Sequence, residues 1–96
     1  MNQILGSHTH SLEVNRMAHV LRPFDATKNT ISVNMATGQF SGLYFFVPDE
    51  ETPERKFEDG DVITTSTVTA MIFDTNGSWR PIRIRTRNTV YDIRYW

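Results

Sequence analysis

The residues in this chain best equipped to do chemistry are its arginines. Arg80, Arg83, Arg85, Arg87 and Arg94 crowd the C-terminal part, and three of them fall in Ile82-Arg83-Ile84-Arg85-Thr86-Arg87, where apolar and cationic residues alternate with period two. A strand reads that way when one face is buried and the other meets water, so Arg83, Arg85 and Arg87 are expected in a row on an exposed sheet face. A guanidinium row can hold phosphates or carboxylates, and the neighbouring Trp79, Tyr91, Tyr95 and Trp96 could seat the unstacked bases of a single strand. Arg83, Arg85, Arg87, Arg94, Trp79 and Trp96 are therefore the candidate contacts for a protein partner or for nucleic acid. Two features oppose nucleic acid. Arg83 is expected opposite Asp92 across a hairpin, which partly neutralises the row. The whole chain also carries a formal charge of −1, with 10 basic against 11 acidic residues, so counterion release would have to come from this patch alone.

The acidic residues cluster as well: Asp49, Glu50, Glu51, Glu54, Glu58, Asp59 and Asp61 lie in one short stretch. Asp49-Glu50-Glu51-Thr52-Pro53 lacks the alternating oxygen ligands and the glycine of a calcium loop, and a proline-bearing surface loop is not the rigid apolar cleft that paired carboxylates need for acid–base work. Asp49, Glu50, Glu51 and Glu54 are instead candidates for contact with a basic partner, or simply keep the loop solvated. His8-Thr9-His10, with His19 further on, could place imidazoles together, but no acidic ligand accompanies them; they read as a solvated arm, and no metal or other cofactor is expected. Nor is there a glycine-rich phosphate loop, a nucleophile elbow or a zincin motif, so no catalytic residue is assigned and enzymatic activity is not expected.

The elements that must position these groups are strands. Thr30-Ile31-Ser32-Val33-Asn34-Met35 alternates, and Thr37-Gly38 as a hairpin tip sets Met35 opposite Phe40, Val33 opposite Gly42 and Ile31 opposite Tyr44. Leu43-Tyr44-Phe45-Phe46-Val47 is apolar on both faces, as in a central strand covered on both sides or one re-aimed by a bulge at Ser41-Gly42. Residues 48–60 form the acidic loop. A strand rich in threonine and β-branched residues then runs from Asp61 to Phe73, and Asn76-Gly77 signals a hairpin that would set Met71 opposite Ile82 and Thr69 opposite Ile84. Pro81 lacks a donor and requires an edge or a bulge. A last turn at Arg87-Asn88 puts Ile84 opposite Tyr91, Ile82 opposite Ile93 and Arg83 opposite Asp92, with both isoleucines inward.

The N-terminal part supports two readings: Val14, Met17, Ala18 and Leu21 have helical spacing behind a Ser11 cap, whereas Leu12-Glu13-Val14 and Ala18-His19-Val20 alternate as a strand would. The 96 residues make one domain, 1–96, with an arm or helix over 1–29 and a β meander over 30–96. The expected fold is all-β, possessing at most that one N-terminal helix: a five-stranded antiparallel meander curled into an SH3-like or OB-like barrel. The chain has no cysteine and no run of ~20 apolar residues, so disulfides and a membrane-spanning helix are excluded and a cytoplasmic location is expected.

Thr64-Thr65-Ser66-Thr67-Val68 and Ile84-Arg85-Thr86-Arg87-Asn88-Thr89-Val90-Tyr91 together resemble a pattern in small uncharacterised β proteins of bacteria and phages, where a Thr-Ser strand precedes a Thr-Arg-Asn-Thr-x-Tyr hairpin. The resemblance covers the last third of the chain and carries over no functional residue. It implies a phage or mobile-element origin, with action on a host factor. The leading expectation is a small binding module that contacts protein through the arginine face, the acidic loop or an exposed strand edge, for which the terminal strand ending Arg94-Tyr95-Trp96 is the candidate, with a homo-oligomer formed along that edge as one form of it. The alternatives are a single-stranded nucleic-acid-binding barrel and a structural subunit of a larger assembly.

Overall fold

The computed structural model describes residues 18–74, 76–77 and 79–96. They build an all-β fold of seven strands: β1 His19–Arg22, β2 Ser32–Asn34, β3 Gln39–Phe46, β4 Val62–Thr64, β5 Val68–Phe73, β6 Pro81–Thr86 and β7 Val90–Ile93. The sheet order is β2-β3-β1-β7-β6-β5, and β4 lies on β3. The helical alternative fails over Ala18 to Arg22, where a bend at Ala18 leads into β1; residues 11–17 of that reading lie outside the described residues. The cause is pairing on both edges. β1 runs antiparallel to β3 and parallel to β7, and burial of both Val20 and Leu21, on opposite faces, erases the alternation that marks a half-buried strand.

The expected small, curled, barrel-like all-β fold is present, while the five-stranded antiparallel meander is corrected to seven strands with one parallel pair. The second extra strand arises because the expected strand 61–73 breaks at Thr65. The Thr65 hydroxyl accepts the Phe40 N–H (3.1 Å) and donates to the Ser66 carbonyl (2.7 Å), while its own N–H reaches the Phe40 carbonyl (2.8 Å). A side chain thereby replaces one rung of the ladder, and the strand turns a corner there. Its first half, β4, pairs with β3, and its second half, β5, pairs with β6, which curls the sheet back on itself.

Along β3, Arg22 and Val62 both oppose Leu43, while Ser32 and Thr64 both oppose Ser41. β1 and β2 therefore share one edge of β3, as a single strand interrupted by the excursion 23–31, and β4 takes the other. The curled sheet encloses Leu21, Ile31, Phe40, Tyr44, Ile63, Ile84, Tyr91 and Ile93.

Two hairpin registers differ from expectation by two residues. Val33 opposes Phe40 rather than Gly42, because Asn34 closes a longer turn: its carbonyl accepts the Gly38 N–H (2.8 Å) and its side chain the Ala36 N–H (3.0 Å). Met71 opposes Ile84 rather than Ile82, because the loop closes by an Asp74 N–H bond to the Arg80 carbonyl (2.8 Å) instead of a two-residue turn at Asn76-Gly77. Pro81 opposes Phe73 beside a bulge, which spares the ladder its missing donor. The β6–β7 register is as expected, with Arg83 opposite Asp92 and Ile84 opposite Tyr91. Ile82, however, lies beyond the core and is 37% exposed.

Candidate functional site

The arginines do not form a free cationic row. Arg83 and Asp92 lie on adjacent strands, their side chains only 13% and 10% exposed, and both Nε (3.2 Å) and Nη2 (3.1 Å) of Arg83 donate to Asp92 Oδ1. Arg94 donates through Nε to the other carboxylate oxygen at 2.6 Å. One carboxylate thus sits between two guanidiniums, and in this half-dry setting the triad works as an internal strut. Arg85, opposite Ala70 and Val90, is half-buried, and its carbonyl accepts the Thr69 hydroxyl (3.1 Å). Arg87, beside the last turn, is exposed.

The two tryptophans stand apart. Trp79 occupies the β5–β6 loop with a positive φ of 52° and is 66% exposed. Trp96 donates its indole N–H to the Pro23 carbonyl (3.0 Å), and the Arg22 guanidinium lies 4.6 Å from its ring centroid. Arg80 stacks in the same manner on Tyr95 at 4.0 Å, and the Tyr95 hydroxyl donates to the Pro81 carbonyl (2.7 Å). Arg22 was not legible as a member of this group: it is far from Trp96 in sequence, and only the β1–β7 pairing joins them.

The acidic loop is solvated as expected, but it is tied to the sheet through Tyr44 and Phe46. Phe57 meets Tyr44 edge to face at 5.2 Å, and the Lys56 N–H donates to the Tyr44 hydroxyl (3.2 Å), which also shares a 2.6 Å bond with His19 Nδ1. Arg55 pairs with Asp59 at 3.2 Å and lies over the Phe46 ring. Asp49 turns inward to accept the Glu51 and Thr52 amides, while Glu50, Glu51 and Glu54 stand exposed. His8 and His10 lie outside the described residues. A shallow groove of about 500 Å³ is lined by Phe24, Ser32, Val33, Asn34, Ser41, Val62 and Thr64; it holds no acid, base or cation, and its Ser41 and Thr64 hydroxyls bond each other at 2.9 Å.

The sheet edges decide more. The terminal strand was expected to offer an edge at Arg94-Tyr95-Trp96, but β7 is interior, between β1 and β6, and the Arg94 N–H is taken by the Leu21 carbonyl (3.0 Å). The edge lies at β5. Among the described residues no strand pairs with its outer side; only Val68, at its start, donates across it to the Gly38 carbonyl (2.9 Å). Val68-Thr69-Ala70-Met71-Ile72-Phe73 carries no charge, proline or glycine, and Met71 (43%) and Phe73 (40%) are exposed. Sequence reasoning missed this edge because it treated residues 61–73 as one strand and could not tell which side would be covered. The missing charge across six residues was the signal that could have found it.

Among the described residues no helix is long and apolar enough to cross a membrane. No protein-family model, curated protein or solved structure matches the chain.

Proposed function

We propose that this chain is a small non-catalytic binding module that takes an extended protein segment along the outer edge of β5. One observation carries the reading: at the end of the sheet order, the uncharged edge strand β5 presents over Thr69–Phe73 an outer side that no other strand among the described residues pairs with, beside exposed Met71 and Phe73. Backbone bonds along such an edge supply affinity, and pockets for alternate side chains supply selectivity.

Selection of a random peptide library on the immobilised protein, followed by NMR titration of the enriched peptides, tests the reading. Enriched peptides are expected to shift the Thr69–Phe73 amides and to lose on the order of tenfold in affinity on Met71→Lys, with Val62→Thr on β4 unchanged. Peptides that perturb another surface sink it.

Single-stranded nucleic acid is the second reading, favoured by exposed Arg87 and Trp96 and by the partly exposed Arg94. Its test is fluorescence anisotropy of short oligonucleotides across a salt series. Binding that weakens with salt and is lost in Arg85→Ala/Arg87→Ala would establish it. Arg83 is kept out of that variant, since its removal strips the buried Asp92 of a partner.

A further inference from the structure

We infer that the occupant of the β5 edge is a second copy of the chain, paired β5 to β5 antiparallel about a two-fold axis at Met71. The inference rests on β5 being an open edge, the reading given above. Because the Val68 amide is taken by Gly38, the stretch left for pairing is Thr69 to Phe73, and its midpoint is Met71. The ladder to β6 points to the same centre. Its regular register covers Ala70, Met71 and Ile72 and is bracketed by shifts between Val68 and Ala70 and between Ile72 and Phe73.

A two-fold axis normal to the sheet pairs residues of like parity, so Met71 meets its own copy and Thr69 meets the copy's Phe73. Side chains exposed in one copy thus cover those exposed in the other, which is the self-complementarity an isologous contact requires. No charge lies on the strand, so identical strands meet without like-charge repulsion. The pairing also closes on itself. The bulges twist the strand at both ends, and β2 and β4, the other outlying strands, on opposite edges of β3, offer three residues each, too few to start a filament with β5. A five-residue edge spans roughly 17 Å and falls short of the ~800 Å² per partner of a stable complex, so the dimer is expected in the micromolar to millimolar range.

Sedimentation velocity of the full chain from about 5 µM to about 2 mM, with hydrogen exchange of the outward-facing Thr69–Phe73 amides, those not bonded to β6, followed at both ends of that range, tests the proposal. The expected result is a mass rising toward the dimer and slowing of those amides with concentration. Met71→Lys, which sets two ammonium groups against each other on the axis, is expected to weaken association on the order of tenfold or more; Met71 is exposed, and far-UV circular dichroism checks that the variant folds. A monomer throughout, with fast amides, overturns self-pairing and leaves the open edge intact. A monomer whose outward-facing Thr69–Phe73 amides are slow at every concentration overturns both readings. A dimer that survives Met71→Lys with fast Thr69–Phe73 amides pairs elsewhere and also overturns the proposal.

Discussion

Gly42→Ala is the substitution that tests the architecture most directly. Gly42 sits on β3 where β1 ends and β2 begins along the same edge, so the chain leaves at Arg22 and returns at Ile31 across this one residue. A methyl group there would lie 2.5 Å from the Arg22 carbonyl oxygen, 3.0 Å from Ile31 Cδ1 and 3.2 Å from the Leu21 Cγ. Two of these neighbours are core side chains and the nearest is backbone, so no rotamer change relieves the clash; the β1–β3 separation must open. Overpacking of a tight core costs typically about 1–3 kcal/mol, and a backbone obstacle puts this site at the upper end. A small part is returned, because alanine lowers the entropy of the unfolded chain by roughly 0.4–1 kcal/mol. We therefore expect a net loss of about 2 kcal/mol, a sizeable share of the roughly 5–14 kcal/mol typical of a domain this long. That corresponds to a fall in Tm of roughly 8–16 °C. Urea and thermal unfolding measure it, with Gly77→Ala as comparison: nothing lies within 4 Å of an added Cβ there, and only the left-handed φ of 100° opposes it, at about 1 kcal/mol. A Gly42→Ala protein within about 0.5 kcal/mol of the parent would refute the argument that β1 and β2 pinch together at this glycine.

Three further outcomes follow from the packing. Asp92→Ala, which leaves Arg83 enclosed without its carboxylate, should cost roughly 2–4 kcal/mol in urea unfolding, and Arg83→Met with Asp92→Leu should recover most of it; equal losses in both variants would contradict the strut. Burial is the main cause holding the phenols of Tyr44, Tyr91 and Tyr95, the only tyrosines, above their ordinary value of 10.0, with the Arg80 cation partly opposing it at Tyr95. The folded state therefore keeps protons that the unfolded chain releases. The tyrosine contribution should be constant from neutral pH to about pH 9 and stability should fall as pH rises above 10, and a phenol ionising near pH 10 in the still-folded protein, read by ultraviolet absorbance, would count against it. Tyr44→Phe removes the hydroxyl that accepts the Lys56 amide and bonds His19, at a cost of about 1–2 kcal/mol; hydrogen exchange at Lys56 should speed up, and an unchanged rate would detach the acidic loop from Tyr44.

Part of this molecule was determined by its sequence alone. The β6–β7 hairpin, with Arg83 against Asp92 and Ile84 against Tyr91, was readable because period-two alternation on both strands and a short turn are local properties, and a hairpin register depends on little else. The all-β character and the need for an edge or a bulge at Pro81 were readable for the same reason. What the tertiary structure alone decided is which edges meet. β1 lies parallel to β7 through a pairing that spans most of the chain, and burial on both faces leaves Val20 and Leu21 with no periodicity to betray it. Thr65 reads as one more strand threonine until its hydroxyl is seen holding the Phe40 amide and turning the strand. The arginine row fared likewise: alternation placed it on a face, but only folding set Arg94 on the second oxygen of Asp92 and Arg22 beneath Trp96. It also left β5, rather than the terminal strand, at the edge. Side-chain alternation reports which face of a strand is buried and carries no information about which neighbour takes its hydrogen bonds, because every backbone presents the same donors and acceptors along both edges.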